Sequence, residues 1–401
     1  MYRKTYVEIN IDNLKNNVEN IINYYNDYKY YFGVVKGNCY GHGVTYVINE
    51  LIESGVNYLA VSSLEEALEI RKINKKIPIL SLEPIALEYI DICIKNNITI
   101  TVHDYNYALE LIKKDIKKKL KIHLKIDSGM NRLGFKYKDE LKEVYSKLKE
   151  KDNIEIEGLY THFATLGIND KDWDIQLENF KNLTSDINLK EIPIVHLYKS
   201  AAFINHPKLD FANGIRLGIA MYGYDPNPKY NTNGIKNKLR QIKRNILRKK
   251  NKVSETTTKI PFELKPSFKM YTELIQIKKV KKGEFVGYGA MYRADEDITI
   301  GIMPVGYDDG IFRKSTGRYV SIKNKRYKII GDVGMGMTAV KIDDSIEITD
   351  RVTLIGDNIP IKEVATHNGT SIYETMCNIG KTIPRVYVKD DEIVAVEEGK
   401  F

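Results

Sequence analysis

Eight short β-branched runs, most followed by a longer helical pattern, occupy the chain between Tyr30 and Met221. The runs fall at 31–35, 58–62, 77–82, 98–102, 122–126, 156–160, 192–197 and 214–219. Helical periodicity fills 44–54, 64–73, 84–96, 105–118, 138–149 and 173–188. Parallel strands need a crossover of about a dozen residues, and a helix supplies it. This alternation predicts an α/β chain with an N-terminal (β/α)8 barrel of the TIM type; an open doubly wound sheet is the competing arrangement. No Gly-x-Gly-x-x-Gly follows the first run, which weakens a dinucleotide site.

A short run at 6–10 and an amphipathic helix at 11–25 precede the first barrel strand. Beyond residue 266 the pattern changes to short alternating strands at 267–280, 285–288, 298–305, 319–322, 328–330, 339–342, 351–355 and 392–396, separated by Gly, Asp and Asn turns. That predicts a C-terminal all-β domain, a small barrel or sandwich. The expected division is 1–225 for the barrel, 226–265 for a basic insertion or linker, and 266–401 for the β-domain.

The formal charge of +9 resides largely in the insertion, where ten Lys and Arg residues lie between Lys229 and Lys252 with no acid among them. Ile235, Leu239, Ile242, Ile246 and Leu247 give this segment a rough helical stripe, so a solvated surface excursion is expected. Aromatic residues are not interleaved as stacking platforms, which argues against nucleic acid. No apolar run reaches membrane-spanning length, and the start lacks a signal-peptide core. Cys39, Cys93 and Cys377 lie far apart without metal-ligand spacing, so no metal site and a reducing cytoplasm are expected.

Polar residues that break the apolar pattern gather just after predicted strands, or within the last of them. They are Lys36 and Tyr40; Lys125, Asp127 and Arg132; His162; Lys199 and Ser200; and Arg216. In a barrel these positions share the C-terminal rim, where such enzymes carry their active sites. Each has a bland reading: a strand-end lysine that snorkels, a satisfied core histidine, an arginine in a salt bridge. A lysine rooted in an apolar wall can also present the neutral amine that forms Schiff bases.

The ordered motifs across both domains resemble the alanine racemase family. They are Val35-Lys36-Gly37-Asn38-Cys39-Tyr40-Gly41-His42-Gly43, His123-Leu124-Lys125-Ile126-Asp127-Ser128-Gly129-Met130-Asn131-Arg132-Leu133-Gly134, Gly158-Leu159-Tyr160-Thr161-His162-Phe163-Ala164-Thr165 and Arg216-Leu217-Gly218-Ile219-Ala220-Met221-Tyr222-Gly223. The second domain adds Gly287-Tyr288-Gly289-Ala290, Pro304-Val305-Gly306-Tyr307-Asp308-Asp309-Gly310 and Pro384-Arg385. The resemblance implies pyridoxal 5'-phosphate held through Lys36, and a homodimer with shared active sites. Lys36 and the partner subunit's Tyr288 would be opposed bases, interconverting L- and D-alanine for peptidoglycan. Arg216 would face the pyridine nitrogen; Tyr40, Tyr373, Ser200 and the backbone of Gly218 and Ile219 would hold the phosphate. Arg132, Tyr307 and Met335 would meet the substrate, and Lys125 would be a candidate for carbamylation or a salt bridge to Asp127. His162 and Arg132 would be the cationic neighbours that make the tyrosine acidic enough to act.

The chain departs from the family pattern in four places. Lys199 stands for the usual Asn before the serine, Met335-Gly336 for Met-Asp, Leu166-Gly167 for Ala-Asp, and Gly37 and Cys39 for two alanines. A serine or broad-spectrum racemase is therefore an alternative, and a non-catalytic pyridoxal phosphate-binding protein a second.

Overall fold

The computed structural model describes residues 1–166, 171–227 and 260–399. The basic stripe expected at 229–252 and Gly167 lie outside the described residues.

Strands β2 (Tyr30–Val34), β3 (Tyr58–Val61), β4 (Ile79–Ser81), β5 (Ile98–Val102), β6 (Leu120–Lys125), β7 (Ile154–Tyr160), β8 (Ile194–Lys199) and β9 (Gly214–Leu217) close into a parallel barrel. A parallel barrel buries both faces of its strands, which explains runs such as Tyr58–Val61 in which every residue is buried. Closure pairs β2 with β9, Phe32 lying opposite Arg216. Polar caps start the outer helices: Asp104 accepts the Tyr107 N–H at 3.0 Å ahead of Tyr105–Lys113. That helix stops before the expected residue 118, where Lys113, Lys114, Lys117 and Lys118 would have set like charges four apart.

The β-rich part forms one ten-stranded sheet, not the small barrel or sandwich expected. Its order is β11 (Gln276–Val280), β14 (Ile298–Met303), β17 (Thr338–Ile342), β16 (Lys325–Ile330), β15 (Tyr319–Ile322), β18 (Arg351–Ile355), β10 (Phe268–Glu273), β1 (Tyr6–Asn10), β19 (Arg385–Lys389) and β20 (Glu392–Glu397). A hairpin of β12 (Phe285–Val286) and β13 (Tyr292–Arg293) stands apart from it. The expected strand 267–280 divides because β10 pairs with β1 and β18, whereas β11 pairs with β14. Two short helices, Ile361–Asn368 and Ile372–Cys377, also belong here.

The structure divides into two units, Leu14–Lys36 with Ile48–Lys265, and Met1–Asn13, Gly37–Val47 and Pro266–Phe401. The expected division put all of 1–225 with the barrel. Strand β1 departs from it because its main-chain partners are β10 and β19. Among the described residues, no helix is long and apolar enough to cross a membrane.

Candidate active site

Strand β2 ends at Val34, and Val35 still donates its N–H to Ala60 O at 2.9 Å. Lys36 follows directly. The backbone then turns left-handed, with φ of 61°, 55°, 53° and 53° at Gly37, Asn38, Cys39 and Tyr40. Non-glycine residues in this region cost roughly 1–2 kcal/mol each, so the turn must be held by its surroundings. Gly41 N–H closes it onto Gly37 O at 2.9 Å, and Gly41 has no room for a Cβ, which would stand 2.3 Å from Met376 O. The lysine thus sits at the mouth of a strained, braced turn.

Seven more of the expected rim residues lie in the barrel unit. Arg216 on β9 is buried and spends both terminal nitrogens on the protein. Nη1 donates to His196 O at 2.7 Å and His196 Nδ1 at 2.9 Å; Nη2 donates to Thr161 O at 2.8 Å and Leu197 O at 3.0 Å. Its Nε–H takes no part in these bonds. Burial lowers its pKa to about 10, opposed by Tyr160 and assisted by Arg132. Lys199, opposite Arg216 in register, donates to Phe163 O at 3.0 Å, and its pKa falls to about 8 through burial, then Arg216 and Arg132. It therefore does not simply point to solvent. The Ser200 hydroxyl accepts the Gly218 N–H at 3.0 Å, which commits that backbone donor within the protein.

His162 is not the cationic donor the sequence suggested. Burial, then Arg216, Lys199, Lys125 and Arg132, hold its pKa well below the ordinary value, so its ring is neutral at pH 7. The Asp127 carboxylate accepts the N–H groups of Gly129 and Asn131 at 3.0 Å and of Arg132 at 3.1 Å, so it organises the loop carrying Arg132. Lys125 instead donates to Ile126 O at 3.1 Å and lies over the Tyr160 ring at 5.0 Å. Burial, with Arg216 and Arg132 adding to it against Asp127, lowers its pKa to about 7.

A pH-dependent stability effect follows. Below about pH 7 the Lys125 amine is protonated folded and unfolded alike, so the folded state bears the whole cost of burying charge. As pH rises towards the unfolded value the folded amine is already neutral, and that cost is relieved. Lys125→Met is therefore expected to be more stable than the parent at pH 6, by an advantage that shrinks towards pH 10. Urea unfolding in CO2-free buffer measures it; a pH-independent difference would contradict the assignment.

The β-rich unit assembles its own set. Tyr288 lies between Gly287 (φ 79°) and Gly289 (φ 66°) and is 75% exposed. It borders a groove of about 800 Å³ shared with Phe285, Met335 and Met337. Tyr307 N–H bonds Gly334 O at 3.0 Å and Asp308 N–H bonds Met335 O at 3.0 Å, which holds Tyr307 beside Met335. A Cβ on Gly336 would meet nothing within 4 Å. Elsewhere in this unit the Tyr40 and Tyr373 rings lie 6.0 Å apart. Burial pushes Tyr373 up to about 12 and Tyr40 higher still, so both remain protonated donors.

Sequence reading passed over the polar interior of the barrel. Tyr160, His123, His196 and Glu157 are all buried, and His196 is stacked between Phe32 (4.4 Å) and Tyr160 (4.7 Å). A histidine in the middle of each of two β-branched runs was the available signal.

A parallel barrel with a strand-end lysine, a buried arginine and a positively charged rim defines an enzyme-like site on a barrel scaffold. Residues 9–226 match the family described as alanine racemase, N-terminal domain, and residues 267–387 the alanine racemase C-terminal domain. Alanine racemase 1 of Bacillus subtilis (strain 168) is 34% identical over 98% of this chain and 96% of its own. A crystal structure of alanine racemase from Bacillus anthracis with bound L-Ala-P superposes with a TM-score of 0.87 at 31% identity, covering 99% of this chain and 98% of that one. Alanine racemase from Clostridium difficile 630 gives the same TM-score, 0.87, at 31% identity over all of both chains. The chain belongs to the alanine racemase family and is an amino-acid racemase.

Proposed function

We propose that the protein interconverts L- and D-alanine with pyridoxal 5'-phosphate held through Lys36, and so supplies D-alanine for peptidoglycan. The observation that carries this reading is Arg216, a buried charged donor whose Nε–H takes no part in the bonds described above and which lowers the pKa of Lys199 and Lys125 beside it. Such a field suits an anionic, ring-nitrogen-bearing group, and the residues present fit it. Bound there, the cofactor would supply an aldehyde and a conjugated ring that acidifies the substrate Cα–H.

The remaining work belongs to the chain. Lys36 Nζ moves the proton on one face of Cα, and the partner subunit's Tyr288 moves it on the other. Two opposed groups are what inversion requires. Arg216 would donate to the ring nitrogen without surrendering its own proton, which would keep that nitrogen unprotonated and favour simple proton exchange over side reactions. Tyr40, Tyr373 and Ser200 would donate hydroxyls to the phosphate, and the Gly218–Ile219 backbone would also face it. His162 lines the cofactor as a neutral ring. Arg132 takes the substrate carboxylate, and Tyr307 and Met335 border its entrance.

The exposed Phe285, Tyr288, Met335 and Met337 line one groove suited to a second copy, which supports a homodimer. The open space at Gly336 supports the alternative of serine or a broader substrate range.

Chiral chromatography of L- and D-alanine, serine and lysine, with and without added pyridoxal phosphate, tests the reading. Cofactor-dependent racemisation fastest with alanine is expected, and Tyr288→Phe should lower it at least a hundredfold, about the smallest loss typical for an acid–base group. Equal rates with and without a functional cofactor, or an unaffected Tyr288→Phe variant, would overturn it.

A further inference from the structure

One row of polar side chains crosses the barrel interior and ends on Arg216. Lys121 Nζ donates to Glu157 Oε1 at 2.6 Å, and Glu157 Oε2 accepts from the Tyr58 hydroxyl at 2.6 Å and the Thr99 hydroxyl at 3.1 Å. The same Oε2 meets His123 Nε2 at 3.3 Å; His123 Nδ1 meets His196 Nε2 at 2.9 Å; His196 Nδ1 meets Arg216 Nη1 at 2.9 Å. We propose that Lys121, Glu157, His123 and His196 form a one-way relay that fixes the Arg216 guanidinium, making Glu157 a positioning residue for the rim chemistry.

Donor and acceptor chemistry alone sets the direction. A guanidinium can only donate, so His196 Nδ1 must accept and its proton must sit on Nε2. That proton is given to His123 Nδ1, which in turn leaves the His123 proton on Nε2, facing Glu157. An ionised carboxylate can only accept, so the chain closes without conflict. Two imidazoles between a donor-only and an acceptor-only end have one arrangement that satisfies every bond. Both rings are then neutral, and the His123–Glu157 contact is a hydrogen bond, not an ion pair. Burial independently lowers both histidine pKa values, and against its own burial Glu157 is held at about 2 by hydrogen bonds from His123, Lys121 and Tyr58.

The backbone makes room for the relay. A Cβ on Gly158 would stand 2.5 Å from His123 Cε1, and one on Gly214 would stand 3.1 Å from His196 Cβ. The His196 plane is held by stacking on Phe32 and Tyr160, at interplanar angles of 13° and 14°. In this low-dielectric interior the Glu157 charge favours one proton pattern throughout. Remove that charge, and the reversed pattern becomes accessible. It places a His196 Nδ1–H against the Arg216 Nη1–H and pushes the guanidinium off its seat.

The proposal rests on the reading of Arg216 given above, but its first readout does not. Protein labelled with 15N-histidine, with and without pyridoxal phosphate, should show both buried rings as neutral Nε2–H tautomers from pH 5 to 9. Glu157→Gln keeps the shape and one acceptor; it should mix the tautomers, shift the visible band of the bound cofactor and lower kcat about tenfold with KM changed less than twofold. Lys121→Met, at a half-exposed position, should do the same more weakly and covers the case in which Glu157→Gln fails to fold. Nδ1–H signals in the parent, or variants with unchanged ring shifts and kcat, would overturn the relay. The expected tautomers in a protein that racemises nothing would leave the relay standing and remove the proposed function instead.

Discussion

Lys36→Ala is expected to fold normally and to lose turnover by a factor of about 10⁴ or more. Two separate losses combine in that number. The variant has no amine with which to hold the cofactor covalently, and it lacks the proton-moving group on one face of Cα. General acid–base catalysis alone is typically worth about 10²–10⁴. Stability should change little, because Lys36 is half-exposed, stands two residues beyond the end of β2 and makes no ion pair among the described residues. The unfolding midpoint and far-UV circular dichroism check the fold; the visible band and the chiral assay check the chemistry. Partial rescue by a small exogenous amine would distinguish a missing base from a collapsed site. Retained turnover within tenfold of the parent would contradict the role given to Lys36.

Arg216→Gln is expected to damage both stability and chemistry. The guanidinium supplies donors to Thr161 O, His196 O, Leu197 O and His196 Nδ1, and one amide cannot replace them all. Each buried acceptor left without a donor costs about 1–3 kcal/mol, so a loss of roughly 2–6 kcal/mol is expected from two of them. Turnover should fall by about 10²–10³, the scale of losing a positioned charge-stabilising donor. The side reactions should rise as well, because the ring nitrogen is no longer faced by a donor that keeps its own proton. Denaturant unfolding measures the first effect; pyruvate released per D-alanine formed measures the second. Arg216→Lys, which keeps charge but loses the fork, should fall between the two. An Arg216→Gln variant with parental stability would contradict the bonding described, and one with a parental product ratio would contradict the electronic role.

Much of the barrel was legible because its strands are buried on both faces and therefore written as unbroken β-branched runs. The rim residues were legible for the converse reason: Lys125 and Arg216 interrupt those runs, and Lys36 and Lys199 stand just past their ends. The sheet was harder. Strand β1 is five residues long and takes its partners from β10 and β19, far along the chain, a pairing no local pattern announces. The Ile372–Cys377 helix did have a signal, Ser371 accepting the Glu374 N–H at 3.2 Å, in a Ser-x-x-Glu spacing that went unread.

Glu157 was hidden most effectively. In Ile154-Glu155-Ile156-Glu157 it looks like the solvent half of an alternating strand, yet it is buried and bonded to Lys121. The left-handed run through Asn38, Cys39 and Tyr40 was equally silent, since only its glycines advertise a positive φ.

The central claim is that Lys36 and the partner subunit's Tyr288 act on opposite faces of one carbon. Racemisation of L-alanine in deuterated water, stopped within the first few per cent of conversion and resolved by chiral mass spectrometry, tests it most directly. Two opposed groups predict D-alanine carrying one deuterium at Cα while the recovered L-alanine remains largely protiated. Deuterium accumulating equally in recovered L-alanine and product D-alanine would contradict it.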